Sequence, residues 1–242
     1  MSERREAICH ATALALRQVR SVGSIRALVG LDGFVDEITG VIDTRHDEAH
    51  FTLIPTIDAL ARKLARASGQ SSNFELHVKQ QKLGGNGPII AYPPARAGIP
   101  LPYVGGLCYP SIHPVFQDFA SLARVVSIAD PGHTDAREFE DGKLMLGKLQ
   151  PLNDVNWTNL VSRFGIEQLV ESFTASRLIA MNNWTMLPFA SDIWRRLLDE
   201  VVPRVPRGRR YFFVDLADPE KRTREDLFDA MTLLTRFQQS GL

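Results

Sequence analysis

Short apolar runs alternate with helical patterns along most of the chain. Strand-like runs, rich in β-branched and aromatic residues, occupy residues 27–31, 75–78, 102–105, 124–129, 177–181 and 210–215. Between several of them, apolar residues recur at the spacing of an α-helix, over residues 56–67, 166–173, 189–202 and 225–238. This alternation favours a mainly parallel sheet with helices on both faces.

Two regions depart from this alternation. Residues 41–53 are polar with short β-prone pieces, and residues 137–148 (REFEDGKLMLGK) have the pattern of a strand, an Asp-Gly turn and a second strand. We expect these segments to form β structure outside the main sheet, and a plain surface hairpin is an open alternative for the second.

Composition fits one globular α/β domain spanning residues 1–242. The 242 residues are 44% apolar, and their formal net charge of zero provides no field that would favour nucleic acid or an anionic membrane. Cys9 and Cys108 lie too far apart for a disulfide framework or a zinc motif, and we assign no metal ligands. The first twenty residues predict an amphipathic helix, not a secretory signal, so we expect a cytoplasmic protein.

The segment Gly84-Gly85-Asn86 is the clearest candidate for ligand binding. Paired glycines let backbone N–H groups approach a ligand, and a helix that begins at Asn86 would point its positive end at the same place. A polyhydroxylated or anionic ligand would suit this turn. A strand-to-helix turn capped by Asn and without a ligand is the alternative.

Acidic residues follow the first predicted strand. Asp32 and Asp36 come after the apolar run that closes on Gly30, and ligands of open α/β sheets bind outside the carboxyl ends of the strands. Either residue could instead be an exposed acid at a strand end.

Together, the early aspartate between apolar neighbours, Asp36, and the Gly-Gly-Asn turn resemble the PfkB-type, or ribokinase-like, carbohydrate kinases. The helix after that turn ends in Ala95-Arg96-Ala97-Gly98, as in the family signature, and weaker similarity extends over about residues 25–240. The resemblance implies a ribokinase-like three-layer α/β/α fold with a mainly parallel central sheet. It also implies a small β lid, formed by residues 41–53 and 133–148.

The resemblance also implies roles for individual residues. The predicted contacts to the sugar are Asp32, Asp36, Gly84, Gly85, Asn86 and Asn183. Asn183 follows the strand at residues 177–181, where a simple strand terminus is the alternative. On the nucleotide side, Asp215 and Arg222 are the candidates for cofactor binding, and a capped turn explains them equally well.

Two features depart from the family pattern. Pro93 and Pro94 fall inside the predicted helix, and we expect the helix to break or kink there. The late Gly-Ala-Gly-Asp signature, which supplies the general base, and the Asn-x-x-Glu motif are absent from these 242 residues. We therefore assign no catalytic residue and expect a carboxy-terminally incomplete domain, with ATP and Mg²⁺ as cofactors of the complete enzyme.

The resulting hypothesis is ATP-dependent phosphorylation of a sugar hydroxyl, with this chain carrying the sugar-binding part. A sugar or a nucleoside is the expected partner, and a homodimer through the lid is a further expectation from the family. A non-catalytic sugar- or nucleoside-binding fragment is the main alternative. A phosphatase of the haloacid-dehalogenase type is a minor one, since Gly30 stands where that class carries its nucleophilic aspartate.

Overall fold

The computed structural model describes residues 3–18 and 25–241. Its strands are β1 (Ala27–Leu31), β2 (Phe34–Arg45), β3 (Phe51–Leu53), β4 (Leu76–Gly84), β5 (Pro102–Gly106), β6 (Arg124–Ala129), β7 (Gly132–Phe139), β8 (Gly142–Lys148), β9 (Leu178–Met181) and β10 (Tyr211–Val214). Its helices are α1 (Glu3–Gln18), α2 (Ile57–Arg66), α3 (Asn86–Arg96), α4 (Gln117–Leu122), α5 (Trp157–Arg163), α6 (Ile166–Ala175), α7 (Ala190–Arg196) and α8 (Arg224–Gln239).

The central sheet has five parallel strands in the order β10-β9-β1-β5-β6. Alternate residues of β1 face opposite sides, as the pleat requires. Val29 packs in an apolar cluster with residues of α3 and α4, whereas Leu28 packs in a second cluster with residues of α5 to α8. The predicted three-layer α/β/α architecture is therefore confirmed.

A second sheet, also of five strands, stands beside the central one; we call it the small sheet, after the small β lid expected from the sequence. Its order is β3-β2-β7-β8, and β4 also pairs with β2. The strands β2 and β7 are parallel, whereas β2 pairs antiparallel with β4, and β7 forms an antiparallel hairpin with β8. Residues 41–53 and 133–148 lie largely in this small sheet, which also takes residues 34–40 and 76–84.

The placement of one predicted strand was wrong. Residues 75–78 were expected to continue the central sheet, but β4 pairs with β2 in the small sheet. Most side chains of β4 are exposed, from Val78 to Lys82, whereas a strand inside a parallel sheet is buried on both faces. The strand-like pattern of residues 75–78 therefore indicated a strand without indicating its sheet.

The longer predicted helices are present with nearly the expected bounds. Thr56 caps α2 by accepting a hydrogen bond from the backbone of Ala59 at 3.1 Å, and Thr223 caps α8 in the same way. The helix predicted over residues 189–202 is less regular. After α7 the chain forms a turn of π-helix over Leu197–Val201 and a short 3₁₀ turn over Val202–Arg204.

The expected break at Pro93 and Pro94 does not occur. Helix α3 continues through both prolines to Arg96, and the N–H of Ala97 donates to the carbonyl of Pro93 at 3.0 Å. The prolines lie close to the end of the helix, so few intrahelical hydrogen bonds are lost. Gly98, with φ of 82°, then terminates the helix.

The amino-terminal helix predicted from the sequence is present as α1. Its described side chains, in residues 4–15, are all exposed. Across residues 3–18 and 25–241, no helix combines the length and the apolar character needed to cross a membrane.

Candidate functional site

Three neighbouring strands end at the same level of the central sheet. Gly30 of β1 pairs with Met181 of β9, which pairs with Val214 of β10. The polar residues that follow these positions, Asp32, Asn183 and Asp215, are therefore brought together at the carboxyl edge of the sheet. The start of α3 completes this group, which we call the floor: Asp32, Asn86, Asn183 and Asp215.

Asp32 is the most buried member of the floor, with none of its surface exposed. Its Oδ2 accepts hydrogen bonds from the backbone N–H of Asn86 and from Nδ2 of Asn183, both at 2.8 Å, and its Oδ1 accepts from the N–H of Gly87 at 2.7 Å. Burial raises the pKa of Asp32, and these hydrogen bonds oppose the rise. The carboxylate thus satisfies the free N–H groups at the start of α3.

Asp215 holds the other side of the floor. Its Oδ2 accepts from Nδ2 of Asn86 at 2.5 Å and from the backbone N–H of Asn183 at 3.3 Å. Its Oδ1 accepts from the N–H of Ala217 at 2.9 Å, which fixes the carboxylate in its own turn. Asn86 and Asn183 are each bound by both aspartates.

The glycines of the turn are needed for close packing. A Cβ on Gly84 would overlap the carboxylate of Asp36, and a Cβ on Gly87 would lie 2.6 Å from Oδ1 of Asp32. Gly85 adopts a φ of 92°, which other residues rarely adopt. The turn therefore brings backbone into direct contact with two carboxylates.

A cavity of about 530 Å³ lies above the floor and is closed on one side by the small sheet. This volume is within the range of small-molecule sites, about 300–1,000 Å³. The lining residues come from both sheets, from α3 and from the turns after β9 and β10: Phe34, Asp36, Gly85, Asn86, Ile89, Thr134, Met145, Gly147, Leu149, Asn183, Met186, Asp218 and Lys221.

Asp36 forms the acidic wall of this cavity. It lies on β2, between Lys82 of β4 and Thr134 of β7. Burial raises the pKa of Asp36, and a hydrogen bond from Thr134 together with the charges of Lys82 and Lys143 opposes the rise. The carboxylate is half-buried and faces the cavity, so it can accept hydrogen bonds from a ligand.

The structure brings most of the predicted sugar contacts together. Asp36, Gly85, Asn86 and Asn183 line the cavity, and Gly84 supports the carboxylate of Asp36. Asp32 does not line the cavity. It is the buried part of the floor, where it binds Asn86 and Asn183, which do line the cavity.

The two residues predicted for the nucleotide side have different surroundings from those expected. Asp215 belongs to the floor, as described above. Arg222 packs 4.9 Å from the ring of Trp184 and donates to the backbone carbonyls of Trp184, Thr185 and Leu187 at 2.8–3.2 Å. Its guanidinium group is engaged in holding the turn after Asn183, and its contact with a phosphate stays a prediction.

Sequence reasoning missed several residues of the cavity. Strand pairing within the small sheet places Thr134 and Met145 in the cavity lining, and no local motif specifies this pairing. Lys221 lines the cavity beside the expected Arg222 and forms an ion pair with Asp218 at 2.7 Å. For Thr134 the available signal was the β-rich character of residues 133–148.

The described part of the chain contains no group of three or more His, Cys, Asp or Glu side chains arranged to hold a metal ion. Magnesium in kinase sites is bound through one or two carboxylates together with substrate phosphates and water. We therefore assign no magnesium ligand among the described residues, and Asp218, an acid of the cavity lining, forms an ion pair with Lys221.

A smaller cavity, of about 290 Å³, opens at the opposite edge of the central sheet. Arg26, Pro102 and Arg124 lie at the amino-terminal ends of β1, β5 and β6 and contribute to its lining. Ligands of open parallel sheets bind at the other edge. The cavity above the floor is therefore the candidate site.

Comparison with protein families agrees with this assignment. The family model described as prokaryotic ketohexokinase matches residues 6–240. The chain belongs to the prokaryotic ketohexokinase family. This membership decides against the phosphatase alternative and confirms the resemblance to PfkB-type kinases. A relative described as ketohexokinase from Haloferax volcanii is 30% identical over 199 residues, which is 81% of this chain and 53% of the relative.

Solved structures of sugar kinases share the fold of this ketohexokinase-family chain. A carbohydrate kinase from Agrobacterium tumefaciens matches with a TM-score of 0.53 and 16% identity, over 81% of this chain and 55% of that one. A ribokinase from Giardia lamblia matches with a TM-score of 0.51 and 13% identity, over 86% and 56%. The chain thus spans about half the length of the relatives it matches.

Proposed function

We propose that this chain provides the sugar-binding part of an ATP-dependent carbohydrate kinase that phosphorylates a hydroxyl group of a ketohexose. Family membership supports the reaction, and the name of the family and of its Haloferax volcanii relative supports the class of sugar.

The observation that carries the proposal is the convergence of polar groups from both sheets on one cavity. Asp36 from the small sheet faces Asn86 and Asn183 at the edge of the central sheet. Carboxylate and amide groups are suited to sugar hydroxyls because each hydroxyl can donate to them. In this proposal Asp36 binds sugar hydroxyls, and Asn86 and Asn183 orient the ring.

The small sheet is proposed to act as the lid over the sugar. Met145 and Gly147 of β8 line the cavity from the side opposite to α3, and Met145 is 55% exposed. An apolar side chain that closes over a sugar would exclude water, which otherwise competes as phosphoryl acceptor. Pairing of two such sheets between subunits would make a homodimer.

The phosphate side of the reaction is not assigned to residues of this chain. ATP would supply the transferred phosphoryl group, with Mg²⁺ compensating its charge. Because no magnesium ligand is assigned among the described residues, their proposed roles are to bind the sugar, to orient it and to exclude water. A sugar-binding protein without kinase activity is the second candidate function, and the same observation favours it.

Two measurements test the proposal. Thermal unfolding with a panel of ketohexoses, aldohexoses and nucleosides should show stabilisation by D-fructose, because a ligand of the folded state raises the melting temperature. Asp36→Ala should abolish the shift. The matched control is Asp43→Ala, on the same strand but paired with Lys63 outside the cavity, and it should keep the shift.

Kinase activity is measured separately as sugar-dependent ADP formation with ATP and Mg²⁺. ADP formation that requires Asp36 would establish the kinase, whereas stabilisation by sugar without any ADP would establish the binding protein. If no member of the panel stabilises the chain, the proposed function is wrong.

A further inference from the structure

We propose that the carboxylates of Asp32, which is buried, and of Asp215, which is partly buried, fix the side-chain amides of Asn183 and Asn86, so that both amides turn their oxygens towards the ligand. The floor then offers hydrogen-bond acceptors and selects a ligand that donates. The inference rests on the proposed function for the identity of the ligand, whereas the amide orientation can be measured without one.

Asn183 provides the first step. It is 5% exposed and lines the cavity. Its Nδ2 donates to Asp32, while its Oδ1 is buried and has no hydrogen-bond partner among the described residues. A buried oxygen without a partner costs free energy, and a ligand hydroxyl in the adjoining cavity would supply the missing donor.

The backbone of Asn183 is held in the same orientation. Its φ of 61° and ψ of 46° lie in the left-handed region, which Asn tolerates better than most residues. Its N–H donates to Asp215 at 3.3 Å. The side chain is therefore fixed from both ends, by Asp215 through the backbone and by Asp32 through the amide.

Asn86 provides the second step. Its Nδ2 donates to Oδ2 of Asp215, which is itself held by the N–H of Ala217. An ionised carboxylate only accepts hydrogen bonds. Reversing the amide of Asn86 would place its oxygen against an oxygen of Asp215, so the geometry leaves Oδ1 of Asn86 as the atom available to a ligand.

Asp36 completes an accepting surface together with the two amides. Lys221 is the basic residue of the lining, and it is paired with Asp218 at the rim. A hydroxyl group satisfies such a surface because it donates a hydrogen bond. A fluorine atom of similar size does not, and a site built around hydroxyl donors discriminates strongly against analogues that lack them.

The first experiment compares D-fructose with its monofluorinated analogues, one hydroxyl replaced at a time, by isothermal titration calorimetry. For the native protein we expect at least one analogue to bind more than about tenfold more weakly than D-fructose. In Asp215→Asn, the new amide can donate to Oδ1 of Asn86 and let that side chain reverse. D-fructose should then bind more weakly. The ratio of the affinity for D-fructose to the affinity for that analogue should fall below about threefold, where each factor of ten corresponds to about 1.4 kcal/mol.

The matched control is Asp229→Asn. Asp229 is a half-exposed acid on α8 that pairs with Arg195 of α7, away from the cavity. It should keep the native ratio. Asp215→Asn that folds normally and retains the native ratio would overturn the inference while leaving the proposed function intact. Asp215 is only partly buried, which makes this variant a better test than one at Asp32.

The second experiment needs no sugar. In the ligand-free protein, NMR should show slow solvent exchange for the side-chain NH₂ groups of Asn86 and Asn183. Asp215→Ala should accelerate exchange at Asn86 and leave the side-chain NH₂ of Asn183, which donates to Asp32, unchanged. Fast exchange at both amides in the native protein would contradict the orientation, whatever sugar the site binds.

Discussion

Asp32 and Asp36 are four residues apart and chemically identical, yet they occupy opposite sides of the site. Asp32 lies in the floor, is fully buried and accepts three hydrogen bonds from protein N–H groups. Asp36 lies in the wall formed by the small sheet, is half-buried and faces the cavity. The residues between them turn the chain from β1 of one sheet into β2 of the other.

The difference separates two ways in which a carboxylate can serve a binding site. In the floor, burial is costly and is offset by N–H donors from α3 and from Asn183, so the carboxylate stabilises the protein and positions the residues that touch the ligand. In the wall, part of the hydrogen-bonding capacity is free. Removal of the two groups should therefore affect different measurements.

The largest effect is expected from alanine at these two positions. Asp32→Ala should lower the free energy of unfolding by about 3 kcal/mol or more, because it leaves buried N–H donors unpaired. Asp36→Ala should change it by less than about 1 kcal/mol, because most neighbouring polar groups keep access to solvent. Urea unfolding followed by circular dichroism measures both. Equal losses for the two variants would remove the distinction between floor and wall.

The next effect separates the two glycines that contact these carboxylates. Gly87→Ala would press a Cβ against Asp32 and the buried hydroxyl of Tyr103, and neither has room to move. We expect a loss of about 2–3 kcal/mol in unfolding free energy, as for overpacked cores. Gly84→Ala would meet the Asp36 side chain, which can rotate into the cavity.

Gly84→Ala should therefore cost less stability than Gly87→Ala but should weaken sugar binding through displacement of Asp36. Gly98→Ala is a useful reference for both, because no atom lies near the added Cβ and only its φ of 82° is strained. A Gly84→Ala protein with native sugar affinity would show that Asp36 does not contact the ligand.

The sequence was sufficient for the five strands of the central sheet and for the Gly-Gly-Asn turn, because these depend on local signals, although it also placed residues 75–78 in that sheet. The apolar runs predicted the observed bounds of β1 and β6, and Asn86 begins α3 as expected. The wall was harder to predict. Asp36 meets Thr134 only through long-range pairing of β2 with β7, and local composition does not encode such pairing.

The separate roles of Asp32 and Asp36 were also beyond the sequence. Both acids follow the same apolar strand, and motif similarity could assign both to the sugar. The distinction depends on burial and on the N–H groups of α3, which come from residues more than fifty positions later. Arg222 is similar, since its carbonyl partners in the turn after Asn183 are known only from the fold.

A smaller effect concerns Asn86, which belongs to the floor and also lines the cavity. Asn86→Ala removes the ligand-facing amide but keeps the backbone N–H that donates to Asp32. We expect D-fructose affinity to fall by about tenfold to a hundredfold, with a loss of unfolding free energy near 1 kcal/mol. Calorimetry and urea unfolding give the two values. A loss of stability that accounts for the whole loss of binding would assign Asn86 to the floor alone.

The smallest effect is a pH dependence of binding. Burial raises the pKa of Asp36, so on acidification its carboxylate is protonated at a higher pH than that of an exposed aspartate, about 3.9. D-fructose affinity should fall as the pH decreases through this raised pKa, and Asp36→Asn should remove that component.

The corresponding effect on stability has the opposite direction. Because the folded protein holds the Asp36 proton more tightly than the unfolded chain, its contribution to stability is greatest below the unfolded pKa and is lost as the pH rises through the folded pKa. The pKa of Asp32 is raised as well, so a pH dependence of affinity that survives both Asp36→Asn and Asp218→Asn reports the floor. If that residual dependence equals the native one, the acid that senses pH lies beneath the site and not in its wall.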